Sequence, residues 1–176
     1  MNAQRFIKLC LTLAAGLVLA AAPNFAAAQQ DAGAKIRGDV YWPSRASSRY
    51  VESARNYAQD VQSYFAKTPQ PEPSVVKEIK AELGRYLDEA QKHYVTMKKD
   101  FAADKETVAA VEGLEKQLAA AIDHNKSMIT CCEIQKFDKI ATMSCCTDLV
   151  KQLDKVHADH AALMKKLSQK YGAAVK

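Results

Sequence analysis

The sequence predicts an all-α protein, an up-down-up-down antiparallel four-helix bundle, and three observations predict it. No proline follows Pro73. Apolar residues recur at three and four positions over four long stretches, the period of one helix face. The composition from Ser74 onward is dominated by Ala, Leu, Lys, Glu and Gln, the strong helix formers. Short connections make successive helices antiparallel neighbours. The alternative packing is a long three-helix coiled coil with the first helix loosely attached.

The first 28 residues read as a cleaved export signal. Arg5 and Lys8 form a positive start, Leu9 to Ala22 is a run of Leu, Ala and Val, and Ala26, Ala27 and Ala28 offer the small side chains a signal peptidase reads. A retained anchor is disfavoured, because this apolar run is about 14 residues against the roughly 20 needed to cross hydrocarbon. Cys10 lies at the start of that run, where a lipidation cysteine would follow it. The expected location is periplasmic or secreted, with no stable membrane insertion after cleavage.

Residues 29–44 carry no period and are expected to form a flexible arm, with Tyr41-Trp42-Pro43 as its apolar patch. Helix 1 is expected over 45–66, with Tyr50, Ala54, Tyr57, Val61, Tyr64 and Phe65 inward. The prolines at 69, 71 and 73 stop it, and Ser74 is the expected N-cap of helix 2, over 74–102. That helix should bury Ile79, Leu83, Tyr86, Leu87, Ala90, Tyr94, Met97 and Phe101. A break near Ala103 and Asp104 leads to helix 3, over 105–134, with Val108, Val111, Leu114, Leu118, Ile122 and Ile129 inward. Helix 4, over 144–171, carries Leu149, Val150, Leu153, Val156, Leu163, Met164 and Leu167. Residues 45–176 thus form one domain.

The net charge of +5 falls to +3 when Arg5 and Lys8 leave with the signal. Basic and acidic residues are interleaved along every segment, so no basic stripe offers a nucleic-acid surface. No nucleophile elbow, phosphate loop or zincin helix is present, and no enzyme class is indicated. A protein partner and the oligomeric state are left open by the sequence.

Cys131, Cys132, Cys145 and Cys146 are the most informative residues. They form two adjacent pairs separated by twelve residues. A turn midway, near Phe137 and Asp138, places Cys131 level with Cys146 and Cys132 level with Cys145. Neighbouring helical residues diverge by about 100°, so any disulfide should join the two helices. In an oxidising compartment an even cysteine count reads first as the disulfides Cys131–Cys146 and Cys132–Cys145. The other reading is a soft or borderline metal site, copper or zinc, with thiolates as ligands. A thiol redox role requires one pair to be exposed and reactive. Covalent haem is excluded by the lack of a Cys-x-x-Cys-His motif.

Histidines and methionines extend the candidate ligand set. His157 and His160 fall within the apolar stripe of helix 4. With the hairpins in register, His93, Met97, His160 and Met164 form an inward cluster of imidazole and thioether groups. His124 and Met128 lead along helix 3 to Cys131 and Cys132, and Met143 lies beside Cys145. An exported four-helix bundle with such residues turned inward resembles the bacterial copper-storage proteins, whose cores are lined with thiolates that take up copper(I). The resemblance implies copper binding by these cysteines. It rests on architecture, export and ligand type without a shared motif, and four cysteines in adjacent pairs imply one or a few ions.

Overall fold

The proline-rich segment 69–73 sets the first boundary, since each proline withholds an N–H and pushes its predecessor toward extended backbone. In the computed structural model, which describes residues 22–133 and 137–171 and side chains at 44–132 and 137–171, helix α1 spans Ala22–Lys67 and ends before it. Helix α2 spans Pro73–Asp100, α3 spans Lys105–Glu133 and α4 spans Lys139–Tyr171. Each helix packs on two neighbours: α1 and α3 both lie against α2 and α4, and the diagonal α2 and α4 reach each other through long side chains, Tyr94 and His160. This is the antiparallel four-helix arrangement, with α1 a full member. Among the described residues no helix is long and apolar enough to cross a membrane.

The starts of the helices depart from expectation. Helix α1 begins at Ala22, so the backbone of 29–44, expected as an arm, is helical and continues through Pro43. Alanines at 26, 27, 28, 32 and 34 favour the helix, and a nucleated helix grows at one hydrogen bond per residue. Most of the proposed signal lies outside the described residues. The N-cap of α2 is Glu72, whose side chain makes no capping bond, with Pro73 in the first turn in place of Ser74 as cap. Helix α4 starts one turn earlier than Ser144 because Asp138 caps it: the Ala141 N–H donates to its carboxylate at 3.0 Å.

Asp104 caps α3 as anticipated from the break in phase. Its carboxylate accepts from the Thr107 N–H at 3.3 Å and from the Thr107 hydroxyl at 2.6 Å. Lys170 and the Tyr171 hydroxyl, at the far end of α4, also donate to it at 2.9 and 2.7 Å. These donors hold the Asp104 carboxyl well below the usual carboxylate range, against the opposing effect of its burial.

The core is the stripe pattern closed on itself. Val76, Ile79, Leu83, Leu87, Ala90, Tyr94 and Met97 line α2, and Leu149, Leu153, Val156, Leu163 and Leu167 line α4. On α1 the buried residues are Ser47, Val51, Ala54, Ala58, Val61 and Phe65, whereas Tyr50, Tyr57 and Tyr64 sit half-buried at the seams. Tyr86, Val108, Ile122, Val150 and Met164 are likewise half-buried. A tyrosine at a seam keeps its hydroxyl near water while its ring packs, which the apolar period alone does not reveal. At the hairpin end, Phe137 packs on Phe65 with ring centroids 5.9 Å apart, and Lys139 donates to the Ala66 carbonyl at 2.8 Å. These contacts tie the end of α1 to the α3–α4 connection.

Candidate functional site

The cysteines lie at the last turn of α3 and the second turn of α4, on either side of the connection at 134–138. All four sulfurs are thiols. Cys146 is in the core, 1% exposed, and Cys131, Cys132 and Cys145 are half-buried. Cys131 is the first charge neighbour acting on Cys145, and Cys132 is the first acting on Cys146. Adjacent cysteines thus differ in burial: Cys146 is sealed in the core while its neighbour Cys145 is not, and neither expected pair, Cys131–Cys146 or Cys132–Cys145, is bridged.

The physical reason is azimuth. One residue changes height along a helix by only about 1.5 Å but turns the side chain by about 100°. Cys146 continues the buried line of Thr142 and Leu149, whereas Cys145, one residue earlier, is turned toward the edge. Cys132 Sγ lies 3.9 Å from the Thr142 hydroxyl of the facing helix.

Burial raises both α4 thiols. The Cys146 thiol is pushed up to about 12, chiefly by desolvation and then by the neighbouring cysteines. Cys145 moves the same way, through burial, the proximity of Cys131 and the hydrogen bond between them. Both are protonated near neutral pH, so a nucleophilic or metal-bound state requires loss of a proton.

The expected cluster of His93, Met97, His160 and Met164 is not assembled. His160 is buried, and both ring nitrogens are engaged: Nε2 lies 3.2 Å from the Ser44 carbonyl and Nδ1 lies 3.1 Å from the Tyr94 hydroxyl. A carbonyl only accepts, so Nε2 carries the hydrogen and Nδ1 accepts from Tyr94. No nitrogen lone pair is left for a metal. Desolvation lowers His160 to about 4, helped by nearby His157 and opposed by the Ser44 carbonyl. Met97 is fully buried, with the Ser47 hydroxyl 3.6 Å from its sulfur and 2.9 Å from the Ser44 carbonyl. This polar layer fastens α1, α2 and α4 together.

His93 turns to α1 instead and stacks on Tyr50, with ring centroids 5.6 Å apart. His93 and Tyr94 are adjacent, and only the second faces the core. Met128 is fully buried as packing, Met164 and Met143 are half-buried against the core, and His124 and His157 are half-buried. Among the described residues no group of three or more His, Cys, Asp or Glu side chains is placed to hold a metal ion. What the fold gathers is four thiols at one end of the α3–α4 hairpin.

Two polar oxygens lack a partner: Asn125 is 7% exposed on the core face of α3, and its Oδ1, like the Oε1 of half-buried Gln117, has no hydrogen-bond partner among the described residues. Asn125 borders a groove of about 320 Å³ between α2 and α3, with Gly84, Leu87, Ile122 and Ile129 among its lining. Comparison of the chain with protein families, curated proteins and solved structures found no match.

Proposed function

We propose that this is an exported helical bundle that binds a soft metal ion, copper(I) in preference to zinc, through cysteines of the α3–α4 hairpin. The observation that carries this reading is the gathering of four thiols on the last turn of α3 and the second turn of α4, three of them half-buried and Cys146 in the core. Copper(I) is soft and accepts two thiolates, so one cross-helix pair suffices; structural zinc takes four ligands in a tetrahedron. The engaged nitrogens of His160 and the stacking of His93 on Tyr50 narrow the donor set to sulfur. A bound cation would offset the penalty that burial imposes on thiolates, and two protons would leave as it binds.

The same gathering of cysteines favours a second reading, a disulfide-stapled bundle with no ligand. A bridge closing about 14 residues stabilises by roughly 3 kcal/mol on the chain-entropy estimate. One sample separates the two. Protein recovered from the exporting compartment is weighed intact, which also locates its N-terminus near Gln29, and is assayed for thiols and metal. The reduced form is then titrated with copper(I) against a colorimetric chelator. The metal reading expects about one ion per chain, lost in the Cys131→Ser/Cys145→Ser variant and retained in His93→Ala. A chelator that keeps all the copper, with native protein devoid of thiols, leaves the staple.

A further inference from the structure

Gly84 stands in the interior of α2, where glycine is the least favourable residue after proline. Close packing does not require it, because a Cβ built at Gly84 meets no atom within 4 Å. The missing side chain opens the groove of about 320 Å³ between α2 and α3, which has Leu87, Ile122 and Ile129 as apolar walls. That volume lies at the lower end of the roughly 300–1,000 Å³ of small-molecule sites. Asn125 lines the same groove from α3, 7% exposed, with a buried Oδ1 that has no partner among the described residues. A buried oxygen left unpaired is costly, and a ligand that donates to it removes the cost.

Charge narrows the occupant. Lys80, Lys126 and Asp88 also line the groove, so basic groups outnumber acidic ones and a carboxylate is favoured over an ammonium. Lys126 pairs with Asp123 at 3.2 Å, but these side chains are 71% and 75% exposed, where water competes and the ammonium turns to a second anion at little loss. We propose that this groove binds a small aromatic acid carrying a hydroxyl. The ring lies over Gly84 on Leu87, Ile122 and Ile129, and the hydroxyl pairs with the Asn125 carboxamide. The long stem of Lys126, the next residue, carries its ammonium outward to the carboxylate at the opposite end of the ring. A hydroxyl suits a carboxamide because it donates to the oxygen and accepts from the amide nitrogen as the group turns about its last bond. None of the cysteines takes part, so the proposal is independent of metal binding.

The reduced, metal-free chain, labelled with nitrogen-15, is titrated with 4-hydroxyphenylacetate and followed by NMR. Phenylacetate, which lacks the hydroxyl, and 4-methylphenol, which lacks the carboxylate, are titrated in parallel. For a ligand of about 11 heavy atoms the expected dissociation constant is on the order of 1 mM. The largest shifts are expected at residues 84–88 and 122–130 and at the Asn125 side-chain amide, and each of the other two probes should bind about threefold more weakly or worse. Gly84→Leu, which fills the groove, should abolish the shifts. Gly113→Leu should leave them unchanged, since Gly113 opens a separate groove between α3 and α4. Asn125→Leu should bind 4-hydroxyphenylacetate no better than phenylacetate. Circular dichroism checks that each variant keeps its helix content. Equal affinity of the wild type for all three probes, shifts centred elsewhere, or no saturation at about ten times the expected constant would overturn the proposal. So would undiminished binding by Gly84→Leu, or equal losses in Gly84→Leu and Gly113→Leu. The wild-type comparison of three probes needs no variant to fold.

Discussion

Acidification should unfold this bundle through a single buried imidazole before its carboxylates matter. His160 titrates near 6.5 in the unfolded chain and at about 4 in the folded one, chiefly because burial penalises the charged ring. Between those values the unfolded chain holds more protons, so each step down in pH favours unfolding. Above the unfolded value the contribution is fully present, and below about 4 both states are protonated and nothing further is lost. A displacement of that size corresponds to about 3 kcal/mol, a large share of the roughly 5–15 kcal/mol that holds a domain together. His160 is 1% exposed, so solvent screening does not reduce the figure appreciably.

The assay is urea unfolding followed by far-ultraviolet circular dichroism at several pH values from neutral to about 4, on wild type and His160→Gln. At neutral pH the variant should be weaker by about 1–3 kcal/mol, because a buried hydrogen-bonding site loses its fitted partner. As the pH falls, the wild type should lose stability faster than the variant, and the two curves should converge by about 4. Parallel curves across this window would refute the reasoning, since they would mean that the ring gains its proton equally in both states.

Two other substitutions test the polar positions. Asp104→Ala should cost about 1–2 kcal/mol, the usual loss for an N-cap, and should release Tyr171 and Lys170 at the end of α4; in the wild type the Asp104 contribution disappears only as the pH drops below the ordinary carboxylate range, a window below that of His160. Equal stability of the variant at neutral pH would show that the cap is replaced by water without loss. Asn125→Leu should raise the unfolding free energy by about 1 kcal/mol, and the urea midpoint with it, because it removes a buried oxygen that has no partner among the described residues. A lowered midpoint would show that Asn125 makes a needed interaction through its groove.

Local information was enough for the helices. The proline cluster, the period of apolar residues and the acidic cap at Asp104 are properties of short segments, and they place α2 and α3 within two residues of where they lie. The stripes of α2 and α4 follow because a residue's face is set by its own helix. The start of α1 and the half-buried tyrosines escaped this reasoning, since they depend on what lies beside the helix.

What the sequence by itself determined is the class of the fold, four antiparallel helices, and the gathering of all four cysteines of its C-terminal half at one end of one hairpin. The tertiary structure decided which sulfur is sealed in the core, Cys146 and not its neighbour Cys145, because burial depends on the azimuth of a helix relative to a shared core and not on height counted from a turn. It also decided that Tyr94, not His93, meets His160, and that His160 spends both nitrogens on the protein. A ligand's lone pair is available only when no neighbour occupies it, and the neighbours here come from two other helices, Ser44 from α1 and Tyr94 from α2. Periodicity within one segment carries no record of them.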